Sequence, residues 1–178
     1  MKSKILVLLL AFAVFSCKKE EKPAPEPKAQ EEMPEMFIVK LNVTVKKDDS
    51  FHLFYTEDNT INFNEKNSVW AELKGKDTPQ ELVFKLPESA VPTHLRMDFG
   101  VNKEQEEIVI NDFKMEYFDK SFEAHGPEFF TYFYPNLECT NIDKVKGTAI
   151  PVKKGTAYTG PMFYPQIALS EKIKSMMK

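Results

Sequence analysis

The sequence predicts an all-β fold, an antiparallel β-sandwich of the jelly-roll kind with one short helix at its C-terminal end. Three observations carry this expectation. Apolar residues recur at period two in short runs, Gly and Pro punctuate those runs, and convincing helical periodicity is confined to the last ten residues. Seven to nine strands are expected, with no internal repeat and no second domain.

The folded region is expected to span residues 36–178. Phe37, Val39, Leu41, Val43 and Val45 alternate with Ile38, Lys40, Asn42, Thr44 and Lys46, which is a strand with one buried face. Lys47-Asp48-Asp49-Ser50 makes a turn, and Phe51, Leu53 and Tyr55 mark a second strand to Thr56. A short extended piece is expected over 60–63. From Ser68 to Lys74 the inward positions are Val69, Ala71 and Leu73, with Trp70 and Glu72 facing away. Gly75 to Pro79 reads as a break, after which Leu82, Phe84 and Leu86 point inward. Residues 93–99 follow with Leu95, Met97 and Phe99 on one side, and Gly100 ends the run.

The segment 107–118 changes phase. Ile108 and Ile110 share a face, and then Phe113, Met115 and Tyr117 do, so a β-bulge is expected at Asn111-Asp112. Phe129 to Asn136 is dense in aromatic residues, and its period fits a short helix or a strand. Weaker strands are expected over 148–152 and 158–163, and a terminal helix over 169–177, with Ser170 near its start.

The N-terminal end has a different character. Lys2 and Lys4 precede the unbroken apolar run Ile5 to Phe15, and Val14-Phe15-Ser16-Cys17 closes it. The run is about half the ~20 residues that span a bilayer, so residues 1–16 read as a cleaved signal peptide. The closing residues resemble a lipobox. That resemblance implies cleavage before Cys17, a diacylglycerol on its thiol, and acyl chains such as palmitate as a lasting membrane anchor. Phe15 is bulkier than the residue usually found at its position. Cys17-Lys18-Lys19-Glu20-Glu21 is similar to the surface-export signal of Bacteroidota lipoproteins. This implies an outer-membrane lipoprotein on the cell surface or the periplasmic face. Residues 17–35 contain four prolines and no aromatic or β-branched residue, and read as a disordered tether reaching up to about 50 Å.

Composition narrows the classes further. Without residues 1–16 the chain carries 22 basic and 27 acidic residues, a formal charge of −5. No basic footprint for nucleic acid exists, so no nucleic-acid partner is expected. Cys139 is the only cysteine besides Cys17 and reads as a small buried hydrophobe, leaving no internal disulfide. About 140 residues remain to build a core, enough to bury roughly two thirds of the unfolded surface.

Between residues 50 and 118 the strands read Ser68-Val-Trp-Ala-Glu-Leu-Lys-Gly, Glu81-Leu-Val-Phe-Lys-Leu-Pro, Leu95-Arg-Met-Asp-Phe-Gly and Ile108-Val-Ile-Asn-Asp-Phe. Their rhythm resembles jelly-roll domains of the carbohydrate-binding-module or galactose-binding type. Such sandwiches also serve as adhesion, packing and regulatory domains.

Candidate contacts follow from the aromatic residues. Trp70 is either an exposed platform for a sugar ring or a side chain packed under a loop or the terminal helix. Phe130, Tyr132 and Tyr134 either form a ligand rim or plug one end of the sandwich. His52, His94 and His125 lack ligand spacing, so no metal is expected through them. Asp112, Asp119, Glu123 and Glu128 offer oxygen ligands around a bend, without a Ca2+ loop signature. Gly-x-Ser-x-Gly, His-Glu-x-x-His and P-loop patterns are absent, so no catalytic residues and no cofactor are expected. The sequence therefore points to a non-catalytic anchored lipoprotein whose sandwich binds a ligand or partner, a glycan being one candidate. An assembly subunit docking on an envelope protein is the alternative, and a glycan-processing enzyme is a weaker third.

Overall fold

The computed structural model describes residues 35–153 and 158–178. The expected signal peptide, Cys17 and the expected tether up to residue 34 lie outside the described residues.

Eleven strands are present among the described residues. They are β1 Ile38–Val45, β2 Asp49–Thr56, β3 Ser68–Leu73, β4 Lys76–Lys85, β5 His94–Asp98, β6 Ile108–Tyr117, β7 Lys120–His125, β8 Phe133–Pro135, β9 Thr140–Asp143, β10 Thr148–Pro151 and β11 Met162–Pro165. A single helical turn, α1 (Phe129–Tyr132), precedes β8, and α2 (Ile167–Met176) closes the chain. One sheet runs β4-β1-β6-β10-β9 with β7 also paired to β6, and the other runs β3-β2-β5-β11-β8. All pairings are antiparallel. β4, β5 and β6 each lie in the opposite sheet from the strand before, the crossing pattern of a jelly roll.

The core is the alternation made physical. Phe37, Val39, Leu41, Val43, Phe51, Leu53, Phe84, Leu95, Met97, Phe99, Phe113 and Met115 are all fully buried. The expected bulge is there: Asn42 faces Asp112 while Val43 faces Ile110, so Asn111 is the extra residue that lets both apolar phases point inward.

Two expectations about elements are corrected. Gly75 to Pro79 is not a break, because β4 already begins at Lys76. β4 edges its sheet, and its pairing with β1 slips between Val43 and Val45, opposite this stretch, which is where a proline lacking an N–H is tolerated. The strand expected over 158–163 sits later, as β11.

Asp49 ties the entry of β2 to the loop after β5. Its Oδ1 accepts the N–H groups of Ser50, Val101 and Asn102 at 2.9, 2.7 and 3.0 Å, and its Oδ2 accepts Gln105 Nε2 at 2.8 Å. Gly100 is at φ +87°, and a Cβ there would collide with the Asp49 carboxylate.

Candidate functional site

The outward positions of the five-stranded sheet form a continuous strip of rings and charges. In register across the sheet, Trp70 of β3 faces His52 of β2, His52 faces Asp98 of β5, and Asp98 faces Met162 of β11. Beside that row, Phe54 faces Arg96, and Tyr164 faces Tyr134. The His52 ring stacks on Trp70 at 3.7 Å and 19°, and touches Phe54 at 3.8 Å. The Arg96 guanidinium lies 4.6 Å from the Phe54 ring centre and 5.4 Å from that of Tyr164. Tyr164 stacks on Tyr134 at 5.7 Å and 23°.

The middle of the strip is covered and its ends are open. Residues 57–67 fold back over it, with Phe63 6.3 Å from Tyr164 and a Glu65 Oε2 oxygen 3.6 Å from His52 Nε2. His52 and Phe54 are buried in consequence, while Trp70 is 51% and Tyr134 43% exposed. The two exposed rings sit on opposite edge strands, four interstrand steps or roughly 19 Å apart.

Electrostatics favour hydrogen bonding over net charge at the centre. Arg96, the only arginine in the chain, is held in a fork by Asp98, with Nε–Oδ1 at 2.9 Å and Nη2–Oδ2 at 2.5 Å. Burial raises the Asp98 carboxyl above its ordinary range, against the pull of Arg96. Burial lowers His52 below its ordinary 6.5, with Glu65 opposing and Arg96 reinforcing, and its Nε2 is buried with no hydrogen-bond partner.

The pH dependence follows from the His52 shift. A histidine that holds its proton less tightly folded than unfolded lets the unfolded chain take up protons first. Its contribution is therefore fully present above pH 6.5 and is lost as pH falls through 6.5 towards the lower folded value. We expect the melting temperature to fall between pH 7.5 and 5, and His52→Gln to flatten that fall. The difference between the two profiles isolates His52, and identical profiles would refute the assignment.

The predicted contact residues separate. Trp70 stands as a half-exposed platform backed by His52, and Tyr134 is likewise open. Phe130 is 5% exposed, with its ring against Phe129 and Phe163, which leaves no face for a ligand. Tyr132 is half-buried, edge-on to Phe122 at 4.7 Å. Of the two alternatives, rim or plug, the aromatic residues divide: α1 turns Phe129 and Phe130 into the core as a plug, and β8 then returns Tyr134 to the surface.

Sequence reading weighed His52 only as a metal ligand and assigned no site role to Phe54, Arg96, Asp98 or Tyr164. Each sits at an outward position of its strand, and only the strand order brings them side by side. A second concavity, between α2 and residues 59–61 and 91–94, is lined by Ile61, Val91, His94 and Ile167. It has no buried unpartnered polar atom, so the sheet face is the stronger candidate. Set against protein-family models, curated proteins and solved structures, the chain matches none.

Proposed function

We propose that this chain is a non-catalytic, membrane-anchored lipoprotein whose sandwich binds a saccharide on the outer face of the five-stranded sheet. The observation that carries the reading is the pair of exposed rings, Trp70 and Tyr134, at opposite ends of one strip. Each is backed by a stacked ring and so is held ready at low entropic cost. The Arg96–Asp98 fork lies between them, largely buried, and braces the rings at the centre of the strip. In this reading the lipid on Cys17 holds the chain in the outer membrane, and residues 18–35 carry the domain away from it.

The test uses the full chain in cells and after purification. Palmitate labelling should be lost in Cys17→Ser. On a panel of neutral saccharides, binding should weaken by about tenfold or more in Trp70→Ala, since truncating an aromatic anchor of a binding surface costs ~2 kcal/mol or more. Tyr134→Ala should weaken binding of longer oligomers more than of short ones. Absence of saccharide binding, or binding indifferent to both substitutions, would refute the site. Capture of an envelope protein that Trp70→Ala abolishes would favour the assembly-subunit reading.

A further inference from the structure

A second group of chemistry-bearing side chains stands on the opposite side of the molecule, on the outer face of the six-stranded sheet. Asp112 of β6 is directly across from His125 of β7, and Glu123 lies two residues back along β7 on the same face. His125 Nδ1 is 2.7 Å from Asp112 Oδ1 and 3.9 Å from Glu123 Oε1. One ligand atom from each residue lies within 4.8 Å of the other two.

We propose that Asp112, Glu123 and His125 form a surface site for a divalent transition metal, with Zn2+ the best-fitting occupant. Around a tetrahedral Zn2+ with bonds of ~2.0–2.2 Å, neighbouring ligand atoms lie roughly 3.4 Å apart. The observed 2.7 and 3.9 Å separations bracket that spacing. His125 and Glu123 are exposed, so rotations of their side chains close the difference without moving the backbone.

The scaffold is rigid where it needs to be. All three residues sit on two hydrogen-bonded neighbouring strands, and the Glu128 carboxylate accepts the His125 backbone N–H at 3.1 Å, fixing the end of β7. The donor set selects the metal: one imidazole nitrogen with two carboxylates suits Zn2+, whereas Ca2+ and Mg2+ take oxygen ligands. Two carboxylates balance the divalent charge, and three protein ligands leave a coordination position for water or a partner's side chain. The inference is independent of the saccharide reading, because the two faces belong to different sheets.

The competing account is a plain surface ion pair between His125 and Asp112. The test is Zn2+ uptake by equilibrium dialysis on the tag-free full chain, together with the absorption spectrum of the Co2+-loaded chain. We expect saturable uptake of one Zn2+ per chain and ligand-field bands of Co2+ without a thiolate charge-transfer band. His125→Ala and Asp112→Asn should each weaken uptake by more than about tenfold, as should Glu123→Gln, while Trp70→Ala leaves it unchanged. All three substitutions lie on a solvent-facing surface, and circular dichroism confirms that the variants are folded. No saturable uptake, uptake that survives the three substitutions, or a thiolate band assigning the metal to cysteine would each overturn the proposal.

Discussion

Phe129→Ala is expected to lower stability by about 3–5 kcal/mol, the range for emptying a fully buried aromatic site. Phe129 is 0% exposed and stands where the two sheets meet. It stacks on Phe133 at 4.6 Å and 15°, and meets Phe113 and Phe163 edge-on at 5.9 and 5.2 Å. Phe113 belongs to β6 of one sheet and Phe163 to β11 of the other, so this one ring joins both. Phe99 and Phe130 pack on it as well. Such ring pairs add ~0.5–1.5 kcal/mol beyond area burial, and neighbours locked in stacked geometry cannot collapse into the space left. A urea titration should show a lower midpoint with an unchanged slope, and melting should fall by roughly 10 °C. A ligand-rim residue would behave differently, since surface substitutions usually stay within ~0.5 kcal/mol. A loss that small would return Phe129 to the surface and undo the assignment of α1 as the plug of the sandwich.

That segment also marks the boundary of what the sequence could say. Strands with clean alternation were legible, from Val39-Leu41-Val43 to Ile108-Ile110, and so was the Asn111 bulge, because a phase change in an apolar pattern has no other economical cause. β7 was not. Lys120–His125 carries only Phe122 and Ala124 on its inward phase, and it is a strand because it hairpins onto β6 through a turn in which Phe118 adopts φ +49°. β8 and β9 are three and four residues long and exist through their partners. The candidate face was half legible for the same reason. The outward phase of Trp70 was readable within its own strand, but Arg96 and Tyr164 meet only through the order β5-β11, which no local pattern contains. His125 shows this most sharply: thirteen residues from Asp112 in sequence, it faces it once the hairpin register is known.

Asp49→Ala is expected to cost about 3–5 kcal/mol without emptying any apolar volume. The carboxylate is 7% exposed and accepts four N–H groups, three from backbone and one from Gln105, whose side chain is fully buried. Hydrogen bonds to a charged group are worth ~1.5–3 kcal/mol each, so four taken additively would exceed the expected loss. The total is lower because Val101 is exposed and Asn102 half-buried, so water can re-solvate their amides. Gln105 has no such relief: its Oε1 already accepts Lys47 N–H and its Nε2 also donates to the Lys47 carbonyl, so it cannot turn without losing those bonds. Asp49→Asn separates the two contributions. Its amide oxygen can keep the three backbone donors, but its NH2 would face the Gln105 NH2, two donors with no acceptor between them. About 1–2 kcal/mol is therefore expected for Asn, and the further loss to Ala measures the backbone bonds. Gly100 fits the same account, because a side chain there would strike the carboxylate and strain a left-handed residue, so Gly100→Ala should destabilise the chain through the same contact. In the double variant Asp49→Ala/Gly100→Ala the collision is gone and only the backbone strain remains, so the two losses should fall short of additive. Equal costs for Asn and Ala, with full additivity against Gly100→Ala, would show that the carboxylate does not hold the β5–β6 loop.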